Sequence, residues 1–183
     1  MFNGKYNIEY KHPSNLTIKD EINVKSYGSY YPYISKKNID EKDQKKILIQ
    51  AKKDINTLYS NLIAKKPFDE IKDSFFEKEN NLITLKNTYE NMLASINQDG
   101  DLIELDTKDI NLNTISFDKN NDITIRVSTK YEYVVSKQNE GTENNTYKHN
   151  GTKEDNGILK YTYKNGKYNL IDFKYFETYF SSK

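Results

Sequence analysis

Acidic side chains on predicted strands are the residues of this sequence that could act in acid–base chemistry. In an enzyme active site, the general acid or base is often a buried aspartate with a raised pKa, or an aspartate paired with a histidine. The sequence offers five candidates, none with a histidine beside it: Glu104, Asp106, Asp109, Glu132 and Asp172. The two histidines lie elsewhere, His12 before a turn proline and His149 in a polar stretch. We therefore interpret the five carboxylates as surface groups and predict no catalytic residues and no enzyme activity.

Four tyrosines form a second group with chemistry to offer. They occur as two pairs spaced by two residues, so that each pair points to one face of a strand: Tyr131 and Tyr133, Tyr161 and Tyr163. Together they could line a ligand pocket. Packing in a hydrophobic core is the simpler interpretation of the same spacing.

Metal and cofactor motifs are weak in this sequence. The chain has no cysteine, which excludes disulfides, thiolate metal ligands and cysteine nucleophiles. Residues 95–106 echo a calcium loop, but Ser95 replaces its first carboxylate and Asp106 replaces its bidentate glutamate. A turn that caps a helix explains the same residues. Because phosphate-binding, dinucleotide-binding and nucleophile-elbow motifs are missing as well, we predict no metal and no cofactor.

Composition limits the classes of function. A length of 183 residues suits one domain, or one domain with a fragment of another. The net charge of +1 argues against a nucleic-acid binder, and 13% aromatic residues are too many for a disordered chain. No run approaches the roughly 18 apolar residues of a membrane span, and the first residues lack the apolar core of a signal peptide.

The elements that must position these residues begin with two alternating runs, near residues 6–10 and 18–24, separated by turn residues 12–15. We assign residues 1–26 to a strand pair, the tail of a preceding small β domain. Residues 27–40 are predicted to form a tyrosine-rich linker, because Gly28 and Pro32 interrupt any regular element there.

Residues 41–183 form the main predicted domain, which begins with three helices. Asp40 is placed to cap a helix that reaches about Lys66 and ends before Pro67. Its apolar stripe repeats at spacings of three and four: Leu48, Ala51, Ile55, Leu58 and Leu62. A short helix follows around residues 68–76, and a third spans about residues 79–97.

After Gly100 the apolar period changes to that of strands. Residues 102–117 are extended, and residues 123–135 alternate over thirteen positions. The polar residues 139–157 are predicted to be a mobile loop. The Asn165–Gly166 pair then predicts a hairpin of strands 158–164 and 167–180. Amphipathic helices bury their stripes against such a sheet, so we predict an α+β cone in which a curved antiparallel sheet wraps the helices.

This order of elements resembles the NTF2-like fold over residues 41–183. More specifically, it resembles the C-terminal domain of the TcaA-type membrane proteins of Gram-positive bacteria. The similarity is carried by residues 89–100, 123–127, 131–133 and 161–168. Residues 2–8 are similar to the strand that ends the small β repeats of that family, with Asn3 in place of the usual proline.

The resemblance implies a non-catalytic binding or scaffold domain on the extracytoplasmic face of the cell membrane, joined to an N-terminal membrane anchor within a longer protein. Its partner would be an envelope protein or a cell-wall component, without nucleic acid, and a homo-oligomer is one arrangement open to it. A VirB8-like scaffold of conjugation machinery, and a small-molecule-binding or enzymatic NTF2-like domain, are the alternatives. A further alternative is a cytosolic protein, which is what the first residues predict when they are considered without the resemblance.

Overall fold

A four-stranded antiparallel sheet with helices packed on it forms the body of the fold. The computed structural model describes residues 4–24, 36–75, 82–96, 101–138 and 146–180. Its helices are α1 Glu41–Ile63, α2 Phe68–Phe75 and α3 Leu82–Ser95. Its strands are β1 Gly4–Lys11, β2 Thr17–Val24, β3 Asp101–Phe117, β4 Ile123–Gln138, β5 Thr146–Lys164 and β6 Lys167–Lys174. The chain is therefore an α+β protein, as its order of elements predicts.

The large sheet has the strand order β3-β4-β5-β6. Strand β4 defines its two faces, because the odd-numbered residues from Ile123 to Val135 are buried and the even-numbered ones are exposed or half-buried. We call the face with these odd-numbered residues the inner face, and the opposite one the outer face. The thirteen-residue alternation in the sequence thus corresponds to one half-buried strand.

Three β-bulges interrupt the pairing of β3 with β4. The register shifts at Ile103, Lys108 and Asn113, each of which lacks a partner on β4. Because each bulge moves the following residues to the other face, the buried positions of β3 are irregularly spaced: Leu102, Thr107, Leu112 and Ile115. Bulges also bend a strand and increase its twist, which lets β3 follow the helix that packs on it.

Helix α1 buries one stripe against the inner face of the sheet. The described structure places Ile47, Ala51, Ile55, Leu58 and Leu62 in the core. Leu48, assigned to this stripe from the sequence, is only partly buried, and Ile47 takes its place. The Asn56 side chain accepts a hydrogen bond from the backbone N–H of Thr107 (3.1 Å), which joins the helix to the bulged part of β3. None of the helices in the described ranges has the length and apolar character needed to span a bilayer.

Helices α2 and α3 pack together through aromatic contacts. The rings of Phe68 and Tyr89 lie 6.0 Å apart, and the Tyr89 hydroxyl donates to the backbone carbonyl of Lys66 (2.8 Å). Leu85 and Met92 of α3 are buried in the same core. Residues 76, 79–81 and 97 of the predicted helices lie outside the described residues.

The β1–β2 hairpin packs on the core of the large sheet. Leu16 and Ile18 are fully buried, and Ile18 forms a β-bridge with Ile39 just before α1. The His12 ring lies 4.1 Å from the Phe117 ring. The division of the chain at residue 26 stays a prediction, and most of the predicted tyrosine-rich linker lies outside the described residues.

The prediction of a loop over residues 139–157 is wrong for its second half. Residues 146–157 belong to β5 and pair with β4, while residues 139–145 lie outside the described residues. Residues 148–156 are polar or glycine on both faces, so the sequence shows no alternation of apolar and polar residues, although exposed and half-buried positions alternate along the strand. Backbone hydrogen bonds to β4 define the strand. The Asn165–Gly166 turn is as predicted, since both residues have positive φ (54° and 76°).

Strand β6 ends at Lys174, six residues earlier than predicted. Tyr175 adopts a left-handed conformation (φ 62°), which turns the chain away from the sheet edge. Residues 175–180, which we call the C-terminal segment, then cross the inner face of β5. Phe176 covers Gly157, where a Cβ atom would lie 2.3 Å from the ring, and Phe180 is also buried.

Asp43 in the first turn of α1 holds the hairpin to the helix, and its replacement by alanine is expected to destabilise the protein. Its carboxylate accepts hydrogen bonds from the Thr17 N–H (2.8 Å) and from Lys46 (2.7 Å). Burial raises the pKa of this carboxyl, but those hydrogen bonds more than offset the effect, so the pKa lies below its usual value. Asp43→Ala leaves the Thr17 N–H unpaired, at a cost of about 1–3 kcal/mol.

Urea unfolding at neutral pH measures this cost. Asp43→Asn is the matched control, because its amide oxygen still accepts from Thr17, while the charge and the acceptor for Lys46 are lost. A cost for Asp43→Ala no larger than that for Asp43→Asn would contradict the role of this hydrogen bond.

Candidate binding groove

A groove of about 920 Å³ opens where β3, β4 and β5 run beside the C-terminal end of α1. Ser60 and Ile63 of α1 form one wall. The remaining lining comes from residues 103–106 and Lys108 of β3, residues 132–134 of β4 and residues 150–152 of β5. This volume is in the range of sites that hold small ligands.

Lys108 and two carboxylates form an ion-pair cluster in the groove. Asp106 and Glu132 are direct neighbours across β3 and β4, so their like charges repel. The bulge at Lys108 places its Nζ 2.9 Å from the Asp106 carboxylate and 3.0 Å from that of Glu132. Hydrogen bonds to these two carboxylates raise the pKa of Lys108. With Glu104, the groove holds three carboxylates and one ammonium group, a net charge of −2.

Apolar side chains complete the groove. Tyr133 lies over Gly151, where a Cβ atom would be only 2.3 Å from the ring, and its ring centroid is 5.0 Å from that of Phe180. Leu105 and Ile63 lie beside it in the lining. Tyr133 and Leu105 belong to the inner face and the ion-pair cluster to the outer face, so the exposed side of the groove suits a ligand with a positive charge.

The four predicted pocket tyrosines do not share this groove. Only Tyr133 lines it. Tyr131 and Tyr161 are fully buried, and Tyr163 is half-buried with its ring 5.0 Å from that of Tyr168. Ring contacts divide the four, since Tyr131 and Tyr133 contact Phe180 whereas Tyr161 and Tyr163 contact Tyr168. The described structure therefore favours core packing for most of them, and a shared pocket stays a prediction.

The five predicted carboxylates separate into two sets. Glu104, Asp106 and Glu132 line the groove. Asp109 accepts a hydrogen bond from the N–H of Ile110 outside the groove, and Asp172 pairs with Lys174 (3.2 Å). The structure thus brings together three acidic side chains that are 28 residues apart at most, because β3 and β4 form a hairpin.

Neither histidine lies in the described lining of the groove. His12 is buried beside Phe117, its Nδ1 lies 2.6 Å from the Ser14 hydroxyl, and burial lowers the pKa of its ring. His149 is half-buried on β5 opposite Val135. Four residues of the calcium-like stretch, 97–100, lie outside the described residues, and no cluster of three metal-binding side chains occurs in the described ranges.

Two buried carboxylates of α1 were not predicted from the sequence, Asp43 and Asp54, and of these two burial raises the net pKa only of Asp54. Asp54 accepts a hydrogen bond from Gln50 (2.9 Å) and lies beside the fully buried Tyr161 phenol. The Asp54 Oδ2 and Tyr161 Oη atoms are both buried, and neither makes a hydrogen bond of good geometry. Burial raises the pKa of Asp54 to about 6, partly offset by Gln50, Tyr161 and Lys53. Its position three residues after Ala51 and four before Leu58 was the signal available in the sequence.

Two sites therefore differ in what they offer chemically. The groove is open and acidic, and its carboxylates could bind an ammonium or guanidinium group. The Asp54–Tyr161 pair lies inside the core, where a carboxyl with a pKa near neutrality could exchange a proton. Comparisons of the chain with protein-family models, with curated proteins and with solved structures find no match.

Proposed function

We propose that this chain is a non-catalytic binding domain whose acidic groove takes up a positively charged ligand at the cell envelope. The observation that carries the proposal is the cluster in which Lys108 occupies the space between Asp106 and Glu132. A ligand ammonium group would compete with Lys108 for these two carboxylates, and Glu104 supplies a third. The ligand class is an amine-bearing cell-wall component or a basic segment of an envelope protein.

The groove favours weak and selective binding. All three members of the ion-pair cluster are about half exposed, so solvent screens each contact strongly. Contacts of this strength suit a dissociation constant in the range of about 0.1–1 mM. That range is adequate for a domain held at a surface where its ligand is abundant.

We further propose that the helices and the four-stranded sheet form an NTF2-like cone. The domain is proposed to lie outside the cytoplasmic membrane. Three features support the fold: helices precede the four strands of the sheet, α1 packs on the inner face, and bulges bend β3 along it. The extracytoplasmic location and the membrane anchor rest on the resemblance to TcaA-type proteins. A VirB8-like scaffold would share both the fold and the location.

Titration with a cell-wall disaccharide peptide that carries a free lysine side chain tests the groove. Binding is followed by amide NMR shifts of the isotope-labelled chain. We expect shifts at residues 103–108, 132–134 and 150–152, and no binding of the same peptide after acetylation of its lysine. The Asp106→Asn/Glu132→Gln variant is expected to bind about 10-fold more weakly, since both ion pairs are lost.

Asp109→Asn is the matched control, because it removes a carboxylate from the same strand outside the groove. Its affinity should equal that of the unmodified chain. Equal binding by the double variant, or equal binding of the acetylated peptide, would contradict a groove that recognises charge. Shifts confined to residues outside the groove would place the ligand elsewhere.

The enzymatic alternative is favoured by one observation, the buried Asp54 carboxyl beside the Tyr161 phenol. A catalytic carboxyl must be reachable by its substrate. Labelling of the folded protein with a water-soluble carbodiimide and a small amine at pH 5–6, read by peptide mass spectrometry, measures this access. For a binding domain we expect Asp109 to be labelled and Asp54 to remain unlabelled until urea unfolds the chain. Equal labelling of the two in the folded protein would favour the enzyme.

A further inference from the structure

The N-terminal half of β5 is a sheet edge with backbone pairing on one side only. Residues 146–157 pair with β4, but β6 reaches only from Ile158 to Lys164 along the other side of β5. The C-terminal segment runs nearby, yet its described contacts are with side chains. The Glu177 N–H donates to the Asp155 carboxylate (2.7 Å), and Lys153 donates to the Tyr179 carbonyl (2.6 Å). Twelve residues of strand therefore present an unpaired edge within the described part of the chain.

The opposite edge of the sheet, on β3, differs because side chains bond to it and bulges interrupt it. Its Leu112 carbonyl accepts from the Lys36 ammonium (3.0 Å), and its Lys108 carbonyl accepts from Lys52 (3.4 Å). The Asn56 side chain accepts from the N–H of Thr107 (3.1 Å), and three bulges interrupt the strand. Bulges and covering side chains are the usual means by which proteins prevent edge pairing. By contrast, residues 146–157 of β5 pair with β4 in a continuous register, without a bulge.

The exposed side chains along this edge complement those of a second copy of the same strand. Lys148, Asn150, Thr152 and Glu154 share the outer face, where their β4 partners are Ser136, Val134, Glu132 and Lys130. If two copies of the strand pair antiparallel with Gly151 opposite Gly151, Lys148 faces Glu154 of the other copy, and Asn150 faces Thr152. Two-fold symmetry produces each contact twice. Directly opposed residues of opposite charge stabilise an antiparallel pair.

The same register brings no unfavourable contact on the inner face of the sheet. His149 would face Lys153 of the other copy, and the Lys153 charge is already balanced by Glu177 of its own chain (2.7 Å). Gly151 brings no side chain to the two-fold axis, and the Tyr133 ring covers it from the neighbouring strand. In the register centred on Gly151, no two like charges face each other without a neighbouring opposite charge. A register centred on Lys153 would instead place the two Lys153 side chains opposite each other.

We propose that a second copy of this chain pairs with it through residues 148–154 of β5, antiparallel and centred on Gly151. The two four-stranded sheets join into one continuous eight-stranded sheet. Because Asn150, Gly151 and Thr152 also line the groove, the two grooves lie beside the two-fold axis. This pairing stands independently of the ligand proposed for the groove.

Sedimentation of the full chain over a concentration series tests the pairing, since a dimer dissociates on dilution. We expect a monomer–dimer equilibrium. Lys148→Glu places two glutamates opposite each other twice and is expected to weaken the dimer at least about 10-fold. The double variant Lys148→Glu/Glu154→Lys exchanges the two charges and should restore dimerisation. Lys167→Glu makes the same charge change at the exposed first residue of β6 and should have no effect.

A second measurement fixes the register. The chain has no natural cysteine, so Asn150→Cys/Thr152→Cys introduces the only two thiols, which face each other across the proposed axis. Oxidation should produce a dimer with two intermolecular disulfides. Thermal unfolding of each variant confirms that it is folded, which matters because Glu154→Lys faces Lys130 within the chain. A chain that stays monomeric to about 1 mM, or a dimer that Lys148→Glu leaves unchanged, would overturn the proposal.

Discussion

Replacement of Phe180 with alanine is expected to lower the free energy of unfolding by about 3–5 kcal/mol. This ring belongs to the C-terminal segment, is buried and contacts three tyrosines, with centroid distances of 5.0 Å to Tyr133, 5.8 Å to Tyr59 and 6.4 Å to Tyr131. Its removal leaves a cavity among rigid rings that cannot easily collapse into it. Since domains are stable by about 5–15 kcal/mol, the loss is a large fraction of the total.

Urea unfolding at neutral pH, followed by circular dichroism, measures the effect of Phe180→Ala. Tyr179→Ala is the matched control, because the neighbouring ring is 49% exposed and its carbonyl contact with Lys153 is kept. We expect the control to cost less than about 1 kcal/mol. If Phe180→Ala were as mild as the control, the C-terminal segment would not be part of the core.

Asp54→Asn is expected to change how stability depends on pH. Burial raises the Asp54 pKa to about 6 from an ordinary value of 3.8. Between these values the folded protein keeps a proton that the unfolded chain has lost, so stability falls as pH rises from about 4 to about 6. The difference of about two pKa units corresponds to about 3 kcal/mol, all of which opposes folding above pH 6. Asparagine cannot ionise and is free of this cost.

The measurement is the difference in unfolding free energy between Asp54→Asn and the unmodified chain, at pH 4 and at pH 7. Because the unfolded carboxyl is already partly ionised at pH 4, we expect this difference to change by about 2 kcal/mol in favour of the variant, somewhat less than the full shift. Other titrating groups, such as Asp43 and His12, contribute equally to both chains and cancel. Asp109→Asn should show no such movement, and a constant difference for Asp54→Asn would mean that this carboxyl is not desolvated.

Helix packing was the part of the fold most readily predicted from the sequence, because the stripe of α1 depends on local periodicity. The same stripe also contains Asp54 between Ala51 and Leu58, so the buried carboxylate was open to prediction. It was missed because only strand carboxylates were considered for the interior. The Tyr161 phenol beside it belongs to β5, over 100 residues away, and a single sequence does not indicate that contact.

The polar half of β5 and the groove could not be predicted in the same way. Residues 146–157 carry polar side chains on both faces, so their strand is formed by backbone pairing that leaves no hydrophobic pattern. The groove depends on the bulge at Lys108, which puts a lysine between carboxylates of two strands. A bulge is a shift of register set by tertiary packing, and Thr107–Lys108–Asp109 does not differ visibly from a regular strand.

The two glycines of β5 impose a constraint on how this sequence can diverge. Gly151 accommodates the Tyr133 ring and Gly157 accommodates the Phe176 ring, each at a distance that excludes a Cβ atom. A relative that carries alanine or a larger residue at either position must have reduced or moved the facing ring. In a future alignment of relatives, positions 133 and 151, and likewise 157 and 176, should therefore vary together, with small and large residues exchanged between the partners.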